Sequence, residues 1–271
     1  MIIININEKK DKYRKLCLEV ADRYRILESQ NEMKVKNKDK DVYMRWFDYC
    51  NEINLWTYWQ GINVFNPKIM VLGQDWASPF ADEATVKYRI NAVEENLEIN
   101  DACHYFDIPS GELTYKDYET DFNLTYLFNL LGYDDIMKKR YEDLFFSNVC
   151  LGYRSRGATG NYKMSWITEI EKDAYKRLIT ILEPKVIICI GKYTYKSLLK
   201  IFGINDPRIK NKFNDFLDTY MADKDGPKCV DGIPVLVSSH CGSLGTINRG
   251  EKKQVEDWEA INEYIQNNIQ Y

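Results

Sequence analysis

Four short apolar runs constrain this chain more than any other feature, because each one breaks off at a cluster of polar residues. They are Lys68-Ile69-Met70-Val71-Leu72, stopping at Gly73; Leu144-Phe145-Phe146-Ser147-Asn148-Val149; Val186-Ile187-Ile188-Cys189-Ile190, stopping at Gly191; and Pro234-Val235-Leu236-Val237-Ser238. Strands buried on both faces of a parallel sheet have this appearance. Helical spacing fills the intervals near residues 122–132, 164–182 and 192–203, and returns from about Lys252 to Asn268. Strands alternating with helices predict an α/β fold, a three-layer α/β/α sandwich around a central four-stranded parallel sheet.

Residues 1–65 precede the first run and read as an N-terminal helical extension. Residues 8–34 have helical spacing, with Leu16, Val20, Tyr24 and Leu27 on one side. Lys34–Asp41 is polar and reads as a loop, and Tyr43–Gln60 reads as a second amphipathic helix rich in Trp and Tyr. The stretch 77–120 is polar and irregular, an insertion loop of a length that is uncommon unless it serves a function. No Pro/Gly-rich linker or internal repeat divides the chain, so residues 1–271 are expected to form a single domain.

Of the 271 residues, 45% are hydrophobic, which is enough for a sizeable core and excludes disorder throughout. The 37 basic and 41 acidic residues give a net charge of -4. That excludes attachment to nucleic acid through bulk charge and leaves a local basic groove open. The cysteines, at 17, 50, 103, 150, 189, 229 and 241, include no Cys-x-x-Cys pair, which argues against a disulfide framework or a zinc ribbon. A reduced, intracellular protein is the simplest reading. Met1-Ile2-Ile3-Ile4-Asn5 lacks the basic flank of a secretion signal, and no apolar stretch approaches the roughly 20 residues that span a bilayer. A cytoplasmic monomer without membrane attachment is expected.

Ligands of such folds bind beyond the C-terminal ends of the strands. Here those ends carry Gly73-Gln74-Asp75-Trp76; Asn148 and then Gly152-Tyr153-Arg154; Gly191-Lys192-Tyr193-Thr194; and Ser239-His240-Cys241-Gly242-Ser243-Leu244. An acid, an amide, a lysine and a histidine would gather along one edge.

These residues carry a resemblance. Gly73-Gln74-Asp75 after an apolar strand is similar to the opening of the GQDPYH water-activating motif of uracil-DNA glycosylases. Ser239-His240-Cys241-Gly242-Ser243-Leu244, followed by Asn248-Arg249-Gly250, resembles their HPSPLS…YRG loop. Asn148 at a strand end resembles the asparagine that reads the base. Pro184–Leu199 is similar to the strand, glycine turn and helix that precede the last motif. The resemblance covers about residues 66–257. It implies a monofunctional glycosylase acting on DNA that contains a damaged or modified base, with no metal or cofactor.

Under that resemblance Asp75 orients water and favours the sugar cation, while His240 donates to the base oxygen as negative charge collects there. Gln74 and Asn148 bind the base; an amide offers both donor and acceptor to a Watson–Crick edge. Leu244 fills the gap left by the extruded nucleotide. Gly191, Lys192, Ser243 and Arg249 grip phosphates. Each assignment has a bland competitor. Asp75 could instead serve as a helix cap, Asn148 as a turn residue, His240 as a structural imidazole, Leu244 as an inward-packed side chain, and the basic clusters Lys138-Lys139-Arg140, Arg208–Lys212 and Arg249–Lys253 as ordinary surface. His104 receives no role.

The departures from the family pattern also carry meaning. Trp76 and Ala77 stand where the family has proline and a bulky tyrosine. In the strict uracil enzymes that tyrosine excludes a 5-methyl group, so a pocket without it is expected to accept C5-substituted pyrimidines unless Trp76 or Phe80 fills the space. Tyr88, Tyr105, Phe106 and Phe122 are all candidates for the aromatic that stacks on the base. Cys241 replaces a proline and leaves the histidine loop less rigid. A non-catalytic nucleic-acid-binding or inhibitory relative, and a small-molecule hydrolase on a similar sheet, are the competing readings.

Overall fold

A computed structural model of the chain describes residues 6–29, 34–36, 41–45, 60–61, 64–76, 120–136, 139–154, 164, 167–220 and 226–269. In chain order the elements are α1 (Ile6–Ser29), β1 (Lys34–Lys36), β2 (Asp41–Arg45), β3 (Ile69–Trp76), α2 (Thr120–Asn129), β4 (Leu144–Arg154), α3 (Glu169–Leu182), β5 (Val186–Ile190), α4 (Lys192–Phe202), a 3-10 turn (Pro207–Lys210), α5 (Phe213–Tyr220), β6 (Cys229–Val230), β7 (Ile233–Ser238), α6 (Ser243–Arg249) and α7 (Glu251–Asn268).

Among the described residues the sheet has seven strands in the order β1-β2-β4-β3-β5-β7-β6. The central four, β4-β3-β5-β7, are parallel, and they are the four apolar runs of the sequence. The expectation of a four-stranded sheet is corrected at both edges. β2 pairs antiparallel with β4 and β1 with β2, while β6 closes the other side antiparallel to β7.

Successive side chains of the central strands point to opposite faces and so into two cores, except that Val149, Cys150 and Leu151 of β4 all pack in the first. Met70, Leu72, Phe145, Ile187, Cys189, Val235 and Val237 pack beneath α1, α3, α4 and α5. Ile69, Val71, Leu144, Phe146, Val186, Ile188, Ile190 and Leu236 pack beneath α2 and α7, where Phe128 and Trp258 are fully buried. Each such aliphatic or aromatic side chain contributes roughly 1.5–3 kcal/mol through burial, so the sheet is the main source of stability.

The N-terminal segment is part of the sandwich rather than an extension from it. Tyr13, Leu16, Cys17 and Val20 of α1 are buried in the first core, as the helical spacing predicted for Leu16 and Val20. The fully buried Lys9 bonds Glu183 and Asn66, and Arg23 pairs with Asp173 at 2.8 Å. Residues 34–36 and 41–45 are strands, which overturns the expected loop at those positions and the expected helix start at Tyr43; residues 37–40 lie outside the described residues. Residues 46–59 of that expected helix and 77–119 of the expected insertion 77–120 lie outside the described residues; Gln60 is in a bend and Thr120 opens α2.

α3 starts at a capping box. Thr168 Oγ1 accepts from the Ile170 N–H at 3.1 Å, and the Thr168 N–H donates to the Glu171 carboxylate at 2.8 Å. Glu171 is fully buried and also accepts from the backbone of Leu151 on β4. Burial pushes its pKa up to about 7, above the ordinary glutamate value, against the lowering effect of those hydrogen bonds. A carboxyl whose folded pKa is raised contributes stability that is complete below the unfolded value and is lost as pH rises through the folded one. Urea unfolding is therefore expected to show stability falling by up to about 3 kcal/mol between roughly pH 4.5 and 7. Glu171→Gln should flatten that slope, and an unaltered slope in the variant would assign it elsewhere.

Among the described residues no helix is long and apolar enough to cross a membrane.

Candidate functional site

The chain runs from β3 to β4 on one side and then crosses to β5 on the other, so the topological switch point lies between β3 and β5. In open α/β sheets the crevice at that point, beyond the strands' C-terminal ends, is where ligands bind. The registers align the strand ends into one row. β3 and β4 are level at Gly73 and Asn148, β3 and β5 at Leu72 and Cys189, and β5 and β7 at Ile190 and Ser238. Asp75 and His240 each lie two residues past this row, on β3 and just after β7.

Asn148 and Gly73 form the closest-fitted part of the row. A Cβ at Gly73 would lie 2.1 Å from Asn148 Oδ1 and 3.3 Å from its Cγ, so the asparagine amide lies across the glycine on the face covered by α2 and α7. Only a residue without a side chain permits that approach. The other face of β4 fixes the strand beneath it. Tyr175, fully buried on α3, bonds the Asn148 carbonyl oxygen through its hydroxyl and meets Ser147 Oγ at 2.9 Å.

Gly73→Ala is expected to turn the Asn148 side chain away, since its amide end is the part that can move. Folding stability should change by no more than about 1 kcal/mol, while any activity read through Asn148 falls at least tenfold. Loss of stability without a fall in that activity would contradict this.

Gln74 is half-buried and Asp75 pairs with Cys150 through the backbone; β3 continues to Trp76 with a register irregularity after Asp75. The motif expected to follow the strand is thus part of it. The sequence pattern missed this because Gly-Gln-Asp reads as a strand stop.

His240 is exposed and is presented by a tightly fitted loop. Its Nδ1 accepts the Gly242 N–H at 2.9 Å, which leaves the proton of a neutral ring on Nε2. α2 buttresses the loop from behind: Asn123 Nδ2 donates to the Cys241 carbonyl at 2.8 Å and Cys241 Sγ to the Thr120 carbonyl at 3.4 Å. Gln254 of α7 reaches the His240 carbonyl at 3.4 Å. Gly245 packs directly on that carbonyl, where a Cβ would come within 1.6 Å of the oxygen. Cys241 is buried in the second core.

Gly191 caps α4, but its own N–H is taken by Ser238 O at 2.7 Å; the helix amides available to an anion begin at Lys192. Lys192 is half-buried, with Nζ bonded to the Asn211 carbonyl and 5.3 Å above the Phe216 ring. Burial, and then the Lys196 ammonium, lowers its pKa. Ser243 and Leu244 open α6 and are both exposed, Leu244 by 53%.

Arg249, expected to grip a phosphate, has another task. It is 6% exposed, and its guanidinium bonds Asp257 at 2.5 and 2.9 Å and Asp218 at 2.7 Å. It clasps α5, α6 and α7 together, and its donors are spent on carboxylates. Of the expected stacking aromatics, Phe122 lies in α2, half-buried, while Tyr88, Tyr105 and Phe106 lie outside the described residues. Tyr175, Asn123, Gln254 and Gly245 were not singled out from sequence, because buttressing residues carry no local pattern.

No protein-family model matches the chain. No curated protein matches it either.

Proposed function

We propose that the chain is a DNA glycosylase of the uracil-DNA glycosylase kind, hydrolysing the N-glycosidic bond of uracil or a C5-substituted pyrimidine flipped out of DNA. The observation that carries this reading is the Asn148 amide lying over Gly73 at the switch point, level with the strand end that leads into His240. Neighbouring strands are about 4.8 Å apart, so β3 and β7 stand about 10 Å apart across β5. That span is comparable with the length of one nucleoside.

The chemistry follows from the residue types. The C1′–N bond breaks with its electron pair leaving on the base. An ionised Asp75 favours the positive charge that develops on the sugar and orients a water toward C1′. The water oxygen bonds to C1′ and gives a proton to the Asp75 carboxylate, while the departing base anion takes up a proton from solvent, leaving an abasic sugar and the neutral free base. The Nε2–H of His240 donates to the base oxygen on which the negative charge collects. A preorganised donor of that kind is worth about 3–4 kcal/mol in the transition state. Asn148 pairs with the base edge and selects a pyrimidine with the matching donor and acceptor. Lys192 and the amides that open α4 hold phosphate, and Leu244 enters the vacated stack.

The test is release of free base from matched oligonucleotides carrying uracil, thymine or larger 5-substituted pyrimidines, followed by chromatography. Release of uracil together with at least one C5-substituted base is expected. Release of uracil alone would restore the strict family specificity, and release of none would remove the proposal.

A further inference from the structure

α1 and α3 lie side by side in opposite directions over the first core. Lys9, near the start of α1, meets Glu183 just past the end of α3, and Arg23 meets Asp173 near the start of α3. Between them runs an open cleft of about 440 Å³, lined by Lys12 and Lys15 of α1 and by Lys176, Arg177, Thr180 and Ile181 of α3. Its lining is mostly carbon: the buried Ile181, the Thr180 methyl group and the stems of the long cationic side chains. Among the described residues every charged side chain that lines it is a cation. α3 runs from the end of β4 toward the start of β5, so residues 176–181, in its second half, stand toward the N-terminal ends of the strands. The cleft is therefore remote from the row of Gly73, Asn148 and His240, and base excision gives it no task.

The cations differ in how firmly they are held. Arg177 is half-buried and bonds Glu19 at 2.6 Å and Asp173 at 3.4 Å, which ties the two helices together. Lys12 and Lys15 pair within their own helix, with Glu8 at 2.7 Å and Glu19 at 3.9 Å. Exposed pairs of that spacing are weak and readily exchanged for another carboxylate. Lys176 is exposed and makes no ion pair among the described residues. Leu18, exposed and one turn past Lys15, continues the apolar surface beyond the rim.

This combination selects among anions. A nucleic-acid strand presents an unbroken row of phosphates, which the carboxylates of Glu8, Glu19 and Asp173 beside the cleft would repel. A helix offers an apolar stripe to the carbon floor and separate carboxylates that reach the lysines one at a time. A groove between two packed helices also has the shape that accepts a third.

We propose that the cleft between α1 and α3 is a docking site for an acidic amphipathic helix of a partner protein, its apolar side chains on Ile181 and Thr180 and its carboxylates on Lys12, Lys15 and Lys176. The inference stands apart from the glycosylase reading and goes beyond it: the strand ends stay free while the partner is held.

The probe is a fluorescent helical peptide of about 15 residues with Leu along one side and Glu flanking it, titrated against the full chain by anisotropy. A second peptide has Lys in place of every Glu. The acidic peptide is expected to bind saturably and about tenfold more tightly than the basic one. Lys15→Glu and Lys176→Glu, both at exposed side chains, should each weaken the acidic peptide severalfold, and together about tenfold, with an unchanged thermal midpoint. The double variant should also bind the basic peptide more tightly than the unaltered protein does, an exchange of preference that misfolding does not produce. Failure of the acidic peptide to bind, or binding that the double variant leaves unchanged, would overturn the proposal. Displacement of the peptide by duplex DNA, or self-association of the chain that Lys176→Glu abolishes, would overturn it too, giving the cleft to nucleic acid or to a second copy.

Discussion

Asp75→Asn is expected to abolish base excision, lowering the single-turnover rate by about a thousandfold, and to leave the thermal unfolding midpoint within a few degrees of the original. A positioned carboxylate that orients water contributes typically 10²–10⁴-fold. The amide is isosteric but carries no charge to favour the sugar cation, so geometry survives while electrostatics is lost. Asp75 pairs with Cys150 through the backbone, which the substitution leaves untouched. An unchanged rate would remove Asp75 from the mechanism. A large loss of stability would make it a structural residue instead.

Gly245→Ala is expected to act on both stability and activity. Glycine within a helix ordinarily costs about 1 kcal/mol relative to alanine, so helix propensity alone predicts a more stable protein. The close approach opposes this: the new Cβ would lie 1.6 Å from the His240 carbonyl oxygen and 2.5 Å from its carbon, and neither is a flexible tip. Backbone must move, and overpacking of that kind costs typically 1–3 kcal/mol. The net expectation is a loss of about 1–2 kcal/mol in urea unfolding. Excision should fall about a hundredfold, because a displacement near 1 Å in a positioned group has that effect. A more stable variant with full activity would mean that the loop around His240 is loose.

The two glycine substitutions differ in what they separate. Gly73→Ala meets only the end of a rotatable side chain, so selectivity should change with little loss of stability. Gly245→Ala meets main chain, so both should fall. The contrast follows from which atom each new methyl group would encounter.

The central strands were legible because each is buried on both faces and therefore written in continuous apolar residues; Val186–Ile190 coincides in sequence and structure. The edge strands were not. Lys34-Val35-Lys36, at the edge, is short and charged, as edge strands are when they avoid pairing with other chains; Asp41–Arg45 beside it is also short and charged at both ends, and such segments look like loops. α5 and α6 are eight and seven residues long, below the length at which helical periodicity stands out, and α6 contains Gly245. Asn214 and Asn248 belong to segments brought together only by folding, so no window of sequence joins them.

The site was legible in part for a related reason. Glycines and polar residues stand out against apolar strands, so Gly73, Asn148, Gly191 and His240 could be picked out one by one. Their alignment depends on register, which comes from the pairing of β3 with β4 and β5 and of β5 with β7. Arg249 misled because a basic residue after a glycine-rich loop looks free, whereas its partners, Asp218 and Asp257, come from two other helices. Leu244 drew attention through its offset from the histidine, and it is exposed.

The most direct measurement takes end-labelled oligonucleotides, each with a single uracil, thymine, 5-substituted pyrimidine or ordinary base, treats them with the protein or with Asp75→Asn, and then heats them in alkali. Strand scission is expected at one or more of the uracil or C5-substituted positions with the unaltered protein, almost none with the variant, and none before alkali. Intact strands throughout the panel, or scission that persists undiminished in Asp75→Asn, would contradict it.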